Sequence, residues 1–182
     1  MKITALFFGV FAGCLSCIPA HAADYLWNGG NGSWTDSGAW RLDDSSADWS
    51  NGNTAQFQTD SSITVGSGIS ASGMLYNGAA ITLNGGSLTL TGAAAGNNGG
   101  SATLSNTGLI LDAPNAEDSY EVWDTSLTGS ATLAKTGAGT VTLDGAHTAS
   151  GVWNINAGTL VFTGERNITA SDNNRINGKI NI

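Results

Sequence analysis

Short stretches of the chain alternate an aliphatic residue with Thr or Ser and stop at Gly or Asn within three to five positions. Examples are Ile63-Thr64-Val65, Ala80-Ile81-Thr82-Leu83, Ser87-Leu88-Thr89-Leu90, Leu109-Ile110-Leu111, Thr140-Val141-Thr142-Leu143 and Thr159-Leu160-Val161-Phe162. Such alternation points one side chain into a core and the next into solvent, so it predicts short β-strands. The glycines between them suit sharp corners that need positive φ. No segment has helical spacing; Ala93-Ala94-Ala95 is too short and is bracketed by Gly92 and Gly96.

The strands recur. Gly100-Ser101-Ala102-Thr103-Leu104 returns as Gly129-Ser130-Ala131-Thr132-Leu133, an offset of 29 residues (129 − 100). Gly139-Thr140-Val141-Thr142-Leu143-Asp144-Gly145 maps onto Gly158-Thr159-Leu160-Val161-Phe162-Thr163-Gly164 at an offset of 19 (158 − 139), with an earlier copy at Gly86–Gly92. Irregular periods of roughly 20 to 30 residues predict a β-solenoid whose corner loops vary in length. An immunoglobulin-like sandwich is the rival, but it needs longer strands and a heavier core than Thr- and Gly-rich triplets supply.

The two ends of the sequence follow different rules. Met1-Lys2 is a short positive region, Ile3 to Gly13 is apolar, and Ala20-His21-Ala22 places small residues where a leader peptidase reads. This predicts a signal peptide over 1–22 and a mature chain starting Ala23-Asp24-Tyr25. The apolar run is about half the roughly 20 residues that a membrane span needs, so no membrane insertion of the mature chain is expected. Lipidation at Cys14, after Phe11-Ala12-Gly13, is the alternative, although phenylalanine stands where a lipobox has leucine. Both cysteines, Cys14 and Cys17, lie in the leader. The mature chain therefore has no disulfide, no thiolate metal site and no cysteine nucleophile, and stacked repeats must hold it together.

Region 23–60 is set apart by Trp27, Trp34, Trp40 and Trp49, four of the six tryptophans, separated by Gly- and Asn-rich segments. One reading is a cap of bulky aromatics over the first coil. The other is a row of indoles that stack on sugar rings, as in a carbohydrate-binding module. Residues 61–182 form the expected solenoid.

Charge narrows the partners. Against 14 Asp and Glu stand 6 Lys and Arg, and after Lys2 the rest (Arg41, Lys135, Arg166, Arg175, Lys179) form no cluster. Phosphate backbones and anionic membranes have nothing to bind, so no nucleic-acid partner is expected. With 26 glycines, 2 prolines and only 11% charged residues, the acidity serves solubility.

Segment 131–164 resembles the passenger-associated transport repeat, also called the autotransporter-associated β-strand repeat. The resemblance rests on Leu133-Ala134-Lys135-Thr136-Gly137-Ala138-Gly139-Thr140, then Gly145-Ala146-His147-Thr148 and Gly151, then Ile155-Asn156-Ala157-Gly158-Thr159-Leu160. Two positions depart from it: Ala149 stands where a Tyr is usual, and Trp153 replaces a small polar residue. The opening Trp27-Asn28-Gly29-Gly30, Trp34, Trp40 and Ala55-Gln56-Phe57 is similar to the start of many such passengers. The resemblance implies an all-β, right-handed β-solenoid (β-helix) carried to the surface of a Gram-negative bacterium by type V secretion. It also implies downstream coils or a translocator barrel in a full-length relative. The sequence stops at Asn177-Gly178-Lys179-Ile180-Asn181-Ile182 without strands of barrel length, which reads as a truncated passenger.

Candidate chemistry is thin. Asp36-Ser37-Gly38 suggests a serine nucleophile, but a triad needs a histidine, and the mature chain offers only His147, expected at a solvent-facing corner. Asp43-Asp44 and Glu117-Asp118, with Glu121 and Asp124, could serve a polysaccharide-cleaving β-helix only if two carboxylates faced each other about 5 to 9 Å apart. Asp43, Asp44 and Asp48 lack the ligand ladder and glycine of a calcium loop. No catalytic residue, metal or cofactor is expected. The segment Asp112–Asp124, with Pro114, Tyr120 and Trp123, is the least repetitive part of the solenoid. Long corner loops carry binding surface. The expected ligand surface is therefore Trp27, Trp34, Trp40, Trp49, Tyr120 and Trp123, and the expected partner a host-surface or extracellular glycan. The function expected is structural and adhesive, not enzymatic.

Overall fold

The computed structural model describes residues 22–163 and, in backbone, 175–176 and 179–181. The expected leader, apart from Ala22, the lipidation site at Cys14, Arg166 and the chain end at Ile182 lie outside the described residues. Every regular element among the described residues is a strand.

The chain opens with β1 (Asp24–Trp27), β2 (Gly32–Ser33), β3 (Trp40–Leu42) and β4 (Ser45–Ala47). Next come β5 (Asn53–Phe57), β6 (Ser61–Thr64) and the long β7 (Ile69–Asn77). After them run β8 (Ala80–Asn84), β9 (Ser87–Leu90), β10 (Ala94–Asn97), β11 (Ser101–Ser105), β12 (Gly108–Asp112) and β13 (Ser119–Val122). The last are β14 (Thr125–Thr128), β15 (Thr132–Thr136), β16 (Thr140–Leu143), β17 (Trp153–Ile155), β18 (Thr159–Phe162), β19 (Arg175–Ile176) and β20 (Lys179–Asn181).

Stacking is parallel throughout the coils and builds three faces. The first face runs β7, β9, β12, β15, β17, β19. The second runs β1, β5, β7, β10, β13, β16, β18, β20. β7 serves both, pairing β9 through Ile69–Ala71 and β10 through Met74–Asn77. The third face is β2, β6, β8, β11, β14. Each pass of the chain visits the third, first and second face in turn, which is the β-solenoid expected from the alternation.

Inward positions stack into columns because every strand keeps the same side inside. Ile63, Leu83, Leu104 and Leu127 line the third face. Ile69, Leu88, Leu109, Leu133 and Trp153 line the first. Ala55, Met74, Ala94, Val122, Leu143 and Phe162 line the second. All are buried. Each buried Leu or Ile contributes about 1.5–3 kcal/mol by leaving water, so the columns hold the coils together without covalent links.

The register corrects one feature of the sequence reading. The 19-residue repeat is a true coil, since Thr140 pairs with Thr159 and Leu143 with Phe162. The 29-residue repeat is not. Leu104 pairs with Leu127 on the third face, whereas Leu133 pairs with Leu109 on the first. The early copy at Gly86–Gly92 likewise lies on the first face, not beneath β16 on the second. All three faces use the same Leu-Thr alternation, so sequence similarity alone pairs strands from different faces. Elsewhere coils advance by about 20 residues, as from Leu83 to Leu104 or Leu133 to Trp153. The step lengthens to 28 from Ala94 to Val122, a pass that contains the loop 113–118 between β12 and β13.

The N-terminal region departs from the coil. β3 pairs antiparallel with β1 and with β4, folding a short hairpin against the first described coil. Asp43 and Asp44 turn that hairpin with positive φ, a conformation Asp tolerates better than most residues.

Candidate functional site

The four N-terminal tryptophans form a packed aromatic cluster. Trp34 and Trp40 have no solvent exposure and Trp27 is buried, while Trp49 is half-buried. Ring centroids lie 4.9 Å apart for Trp34–Trp40, 5.2 Å for Trp34–Trp49, 4.8 Å for Trp40–Trp49 and 5.1 Å for Trp27–Trp40. Phe57 of β5 extends the cluster inward, 5.9 Å from Trp34. The Trp40 indole N–H donates to the Trp34 carbonyl at 2.8 Å, and that of Trp27 to Gly30 at 3.1 Å. The Trp49 indole N–H donates to Asn51 Oδ1 at 3.0 Å. Edge-to-face packing of this kind adds to burial and fixes ring orientation. A sugar needs an open ring face; Trp27, Trp34 and Trp40 are buried among other rings, and Trp49 keeps part of its surface exposed.

The second group of expected residues lies around the 113–118 loop. Within it the Asp118 carboxylate accepts from the Asn115 backbone N–H at 2.8 Å and side-chain amide at 3.2 Å. Tyr120, on β13, starts an inward column with Val141 and Leu160. Its hydroxyl donates to the Leu90 carbonyl at 2.8 Å and lies 3.2 Å from that of Asp112, tying the loop to the coil before it. Tyr120 thus latches the loop to the coil.

Trp123 differs. It is the one large hydrophobic side chain exposed among the described residues, at 38%. It stands at the corner between β13 and β14, and its indole N–H donates to Glu121 Oε2 at 2.7 Å. The carboxylate two residues back thus fixes the orientation of an exposed indole.

Two residues of segment 131–164 have roles that sequence reasoning missed. Lys135 occupies an inward position in the column Ala71, Leu90, Leu111, Lys135, Ile155. Its side chain is buried, and Nζ donates to the corner carbonyls of Thr136 at 2.5 Å and Gly137 at 2.9 Å. The aliphatic stem therefore fills the core while the head closes the turn. Burial holds the ammonium below its usual pKa, opposed by the nearby Asp112 charge. Thr136 Oγ1 donates to that carboxylate at 2.7 Å.

His147 corrects the expectation of a solvent-facing corner. It bridges in parallel to Leu127 and is buried, with ring centroids 6.0 Å from Trp153 and 5.9 Å from Phe162. Trp153 stacks on Phe162 at 5.6 Å, so this departure from the repeat pattern fills core volume. Ala149 is buried as well.

Two of the remaining candidate groupings are separated in the structure. Ser37 Oγ donates to Asp48 at 3.1 Å in the N-terminal region, whereas His147 packs under β14, so no Ser-His pair forms. Asp48 also accepts from Gly38 N at 2.9 Å, and Asp44 faces Arg41 at 3.2 Å, which separates the acids considered for calcium. Among the described residues no three acids or histidines gather as metal ligands, and no helix is long and apolar enough to cross a membrane.

Residues 133–162 match the family model of the passenger-associated-transport-repeat. The match opens on Leu133 at the head of β15 and closes on Phe162 at the end of β18. It thus spans two successive passes over the first and second faces, with Lys135 at the first corner. The protein carries an autotransporter-passenger-type repeat on a β-solenoid. No curated protein and no solved structure matches the chain.

Alkaline conditions test the buried phenols. Burial raises the pKa of Tyr76, whose hydroxyl meets Thr125 Oγ1 at 3.2 Å, and burial also raises that of Tyr120. The folded state keeps these protons after an unfolded tyrosine, at about 10, has lost them. Their stabilisation is therefore complete below pH 10 and is lost as pH climbs above it. Lys135 acts in the opposite sense, its penalty easing as pH rises towards about 10.5. Above about pH 10.5 the Lys135 effect has levelled off, and only the phenols still change stability. Urea midpoints are expected to hold from pH 7 to 9 and fall by pH 11, with a shallower fall in Tyr120→Phe. A midpoint unchanged at pH 11 would contradict this assignment.

Proposed function

We propose that the protein is an exported, non-enzymatic passenger-type rod that acts by structure and adhesion at the exterior of a Gram-negative bacterium. The observation that carries the reading is the passenger-associated repeat at 133–162, seated in register within a longer stack of like coils. The leader-like sequence over 1–22 and the absence of cysteine after Cys17 support export as an unfolded chain. Each coil is short and stacks on its neighbour, so folding can propagate along the rod once outside.

An extracellular or host-surface glycan is the proposed partner, met at Trp123. An exposed indole held at a fixed angle by Glu121 offers a flat apolar face to a pyranose ring at low entropic cost. Stacking would supply the affinity and the neighbouring Glu121 the polar contact.

Two measurements test the proposal. Fractionation of cells producing the full chain is expected to find it outside the inner membrane and shortened at its N-terminus; a cytoplasmic, full-length product would overturn export. Trp123→Ala is expected to leave the protein folded, with a smaller fall in melting temperature than Trp34→Ala, because its ring is the more exposed of the two. The same variant should lose retention on an immobilised glycan panel. Equal retention by the two proteins, or none by the parent, would remove Trp123 as the contact.

A further inference from the structure

The amide nitrogen of Ala23 donates to Asn53 Oδ1 at 2.8 Å, across a sequence separation of 30 residues. The Ala23 carbonyl accepts from Thr54 N at 2.9 Å, and Asp24 then pairs with Thr54 as β1 joins β5. Asn53 is held from its other side, its amide donating to the Ser50 carbonyl at 2.9 Å. Ala22 is exposed, while Ala23 packs partly against the core. The bond between Ala22 and Ala23 therefore stands one residue ahead of the first strand, at the position where the Ala-His-Ala sequence directs cleavage.

We infer that removal of the leader after Ala22 creates an α-ammonium group at Ala23 that docks on Asn53 Oδ1, so that processing itself completes the N-terminal cap. Resting on the export reading above, the inference assigns Asn53 as the receptor of the new terminus. Cleavage is a hydrolysis: water adds across the Ala22–Ala23 amide, leaving a carboxylate on Ala22 and an ammonium on Ala23. A peptide N–H donor becomes a charged donor at the same atom, and a charge-assisted hydrogen bond is about twice as strong as a neutral one. The side chain that receives it is already oriented by Ser50, so little order must be created. Because export precedes folding, the ammonium exists before β1 meets β5, and the clamp forms as the first coil closes.

The test uses the exported, processed protein. Intact mass should place its first residue at Ala23. Limited acetylation followed by peptide mass analysis should modify the Ala23 amine about tenfold more slowly than in Asn53→Ala, as a hydrogen bond to a charged group implies. Acetylating the amine should lower the melting temperature by a few degrees in the parent and leave Asn53→Ala unmoved. If Asn53→Ala does not fold, Asn53→Asp serves instead: a carboxylate at the same place should slow acetylation further. Equal amine reactivity in parent and variant would overturn the clamp while leaving export intact. A first residue other than Ala23 would overturn the processing step itself.

Discussion

Gly86→Ala is expected to prevent the solenoid from folding. Gly86 sits at the corner between β8 and β9 with φ of +60°. A Cβ there would lie 1.9 Å from the Val65 carbonyl oxygen and 2.3 Å from that of Gly66. Those oxygens belong to the coil before it, and Gly66 O accepts from Ser87 N at 3.0 Å within the ladder. Relief would require separating two hydrogen-bonded coils, not merely turning a side chain. The cost exceeds about 4 kcal/mol, a large part of the stability of an ordinary domain. Gly85→Ala provides the control. Its φ is +71°, yet nothing lies within 4 Å of the added carbon. Only backbone strain applies there, about 1–2 kcal/mol. Soluble yield and urea midpoints of the two variants measure the gap. Equal behaviour would mean that the coils do not approach as closely as the Val65–Gly86 contact demands.

Trp34→Ala carries the next largest effect. The indole is enclosed by Trp40, Trp49 and Phe57, with no solvent exposure. Its removal leaves a cavity among rigid rings and costs about 3–5 kcal/mol. In a chain of this size that lowers the melting temperature by roughly 6–20 °C. Trp49→Ala, at a half-buried ring, should cost less. Tryptophan fluorescence should also shift to the red in Trp34→Ala as Trp40 becomes wet. A loss of under about 1 kcal/mol would show that the cluster covers the coil without holding it.

These effects depend on features of unequal visibility in the sequence. The alternating triplets at 87–90, 140–143 and 159–162 fall on β9, β16 and β18, because burial of every second residue is a local rule. The stacking partners of those strands are not local. They depend on which face each strand occupies, and the 29-residue repeat misleads because β11 and β15 carry the same Leu-Thr alternation on different faces. Strands such as Ser119–Val122 escaped the pattern because Tyr120 and Glu121 do not resemble the Leu-Thr alternation.

The candidate site was harder to read. Four tryptophans in a Gly-rich segment are compatible with either a cap or a row of sugar-stacking rings, and only the packing shows Trp27, Trp34 and Trp40 buried among other rings. Lys135 has the appearance of a surface charge, yet its stem lies in a column of Leu and Ile and its ammonium closes a corner. His147 lies inside for a related reason: its bridge to Leu127 spans a whole coil. A signal did exist for Lys135: it falls on the same parity as Leu133, the side that β15 turns inward.

Parallel coils stacked in one register define this fold. A pair of cysteines in a chain starting at Ala23, which has none of its own, tests it most directly. Thr82 and Thr103 are outward neighbours on β8 and β11, so their Cα atoms lie about 5 Å apart, within disulfide range. Thr103 and Thr132, which the 29-residue repeat would align, lie on different faces. Mild oxidation of Thr82→Cys/Thr103→Cys should give an intramolecular disulfide in the folded protein, and Thr103→Cys/Thr132→Cys should not. The reverse result would contradict the solenoid register and the account built on it.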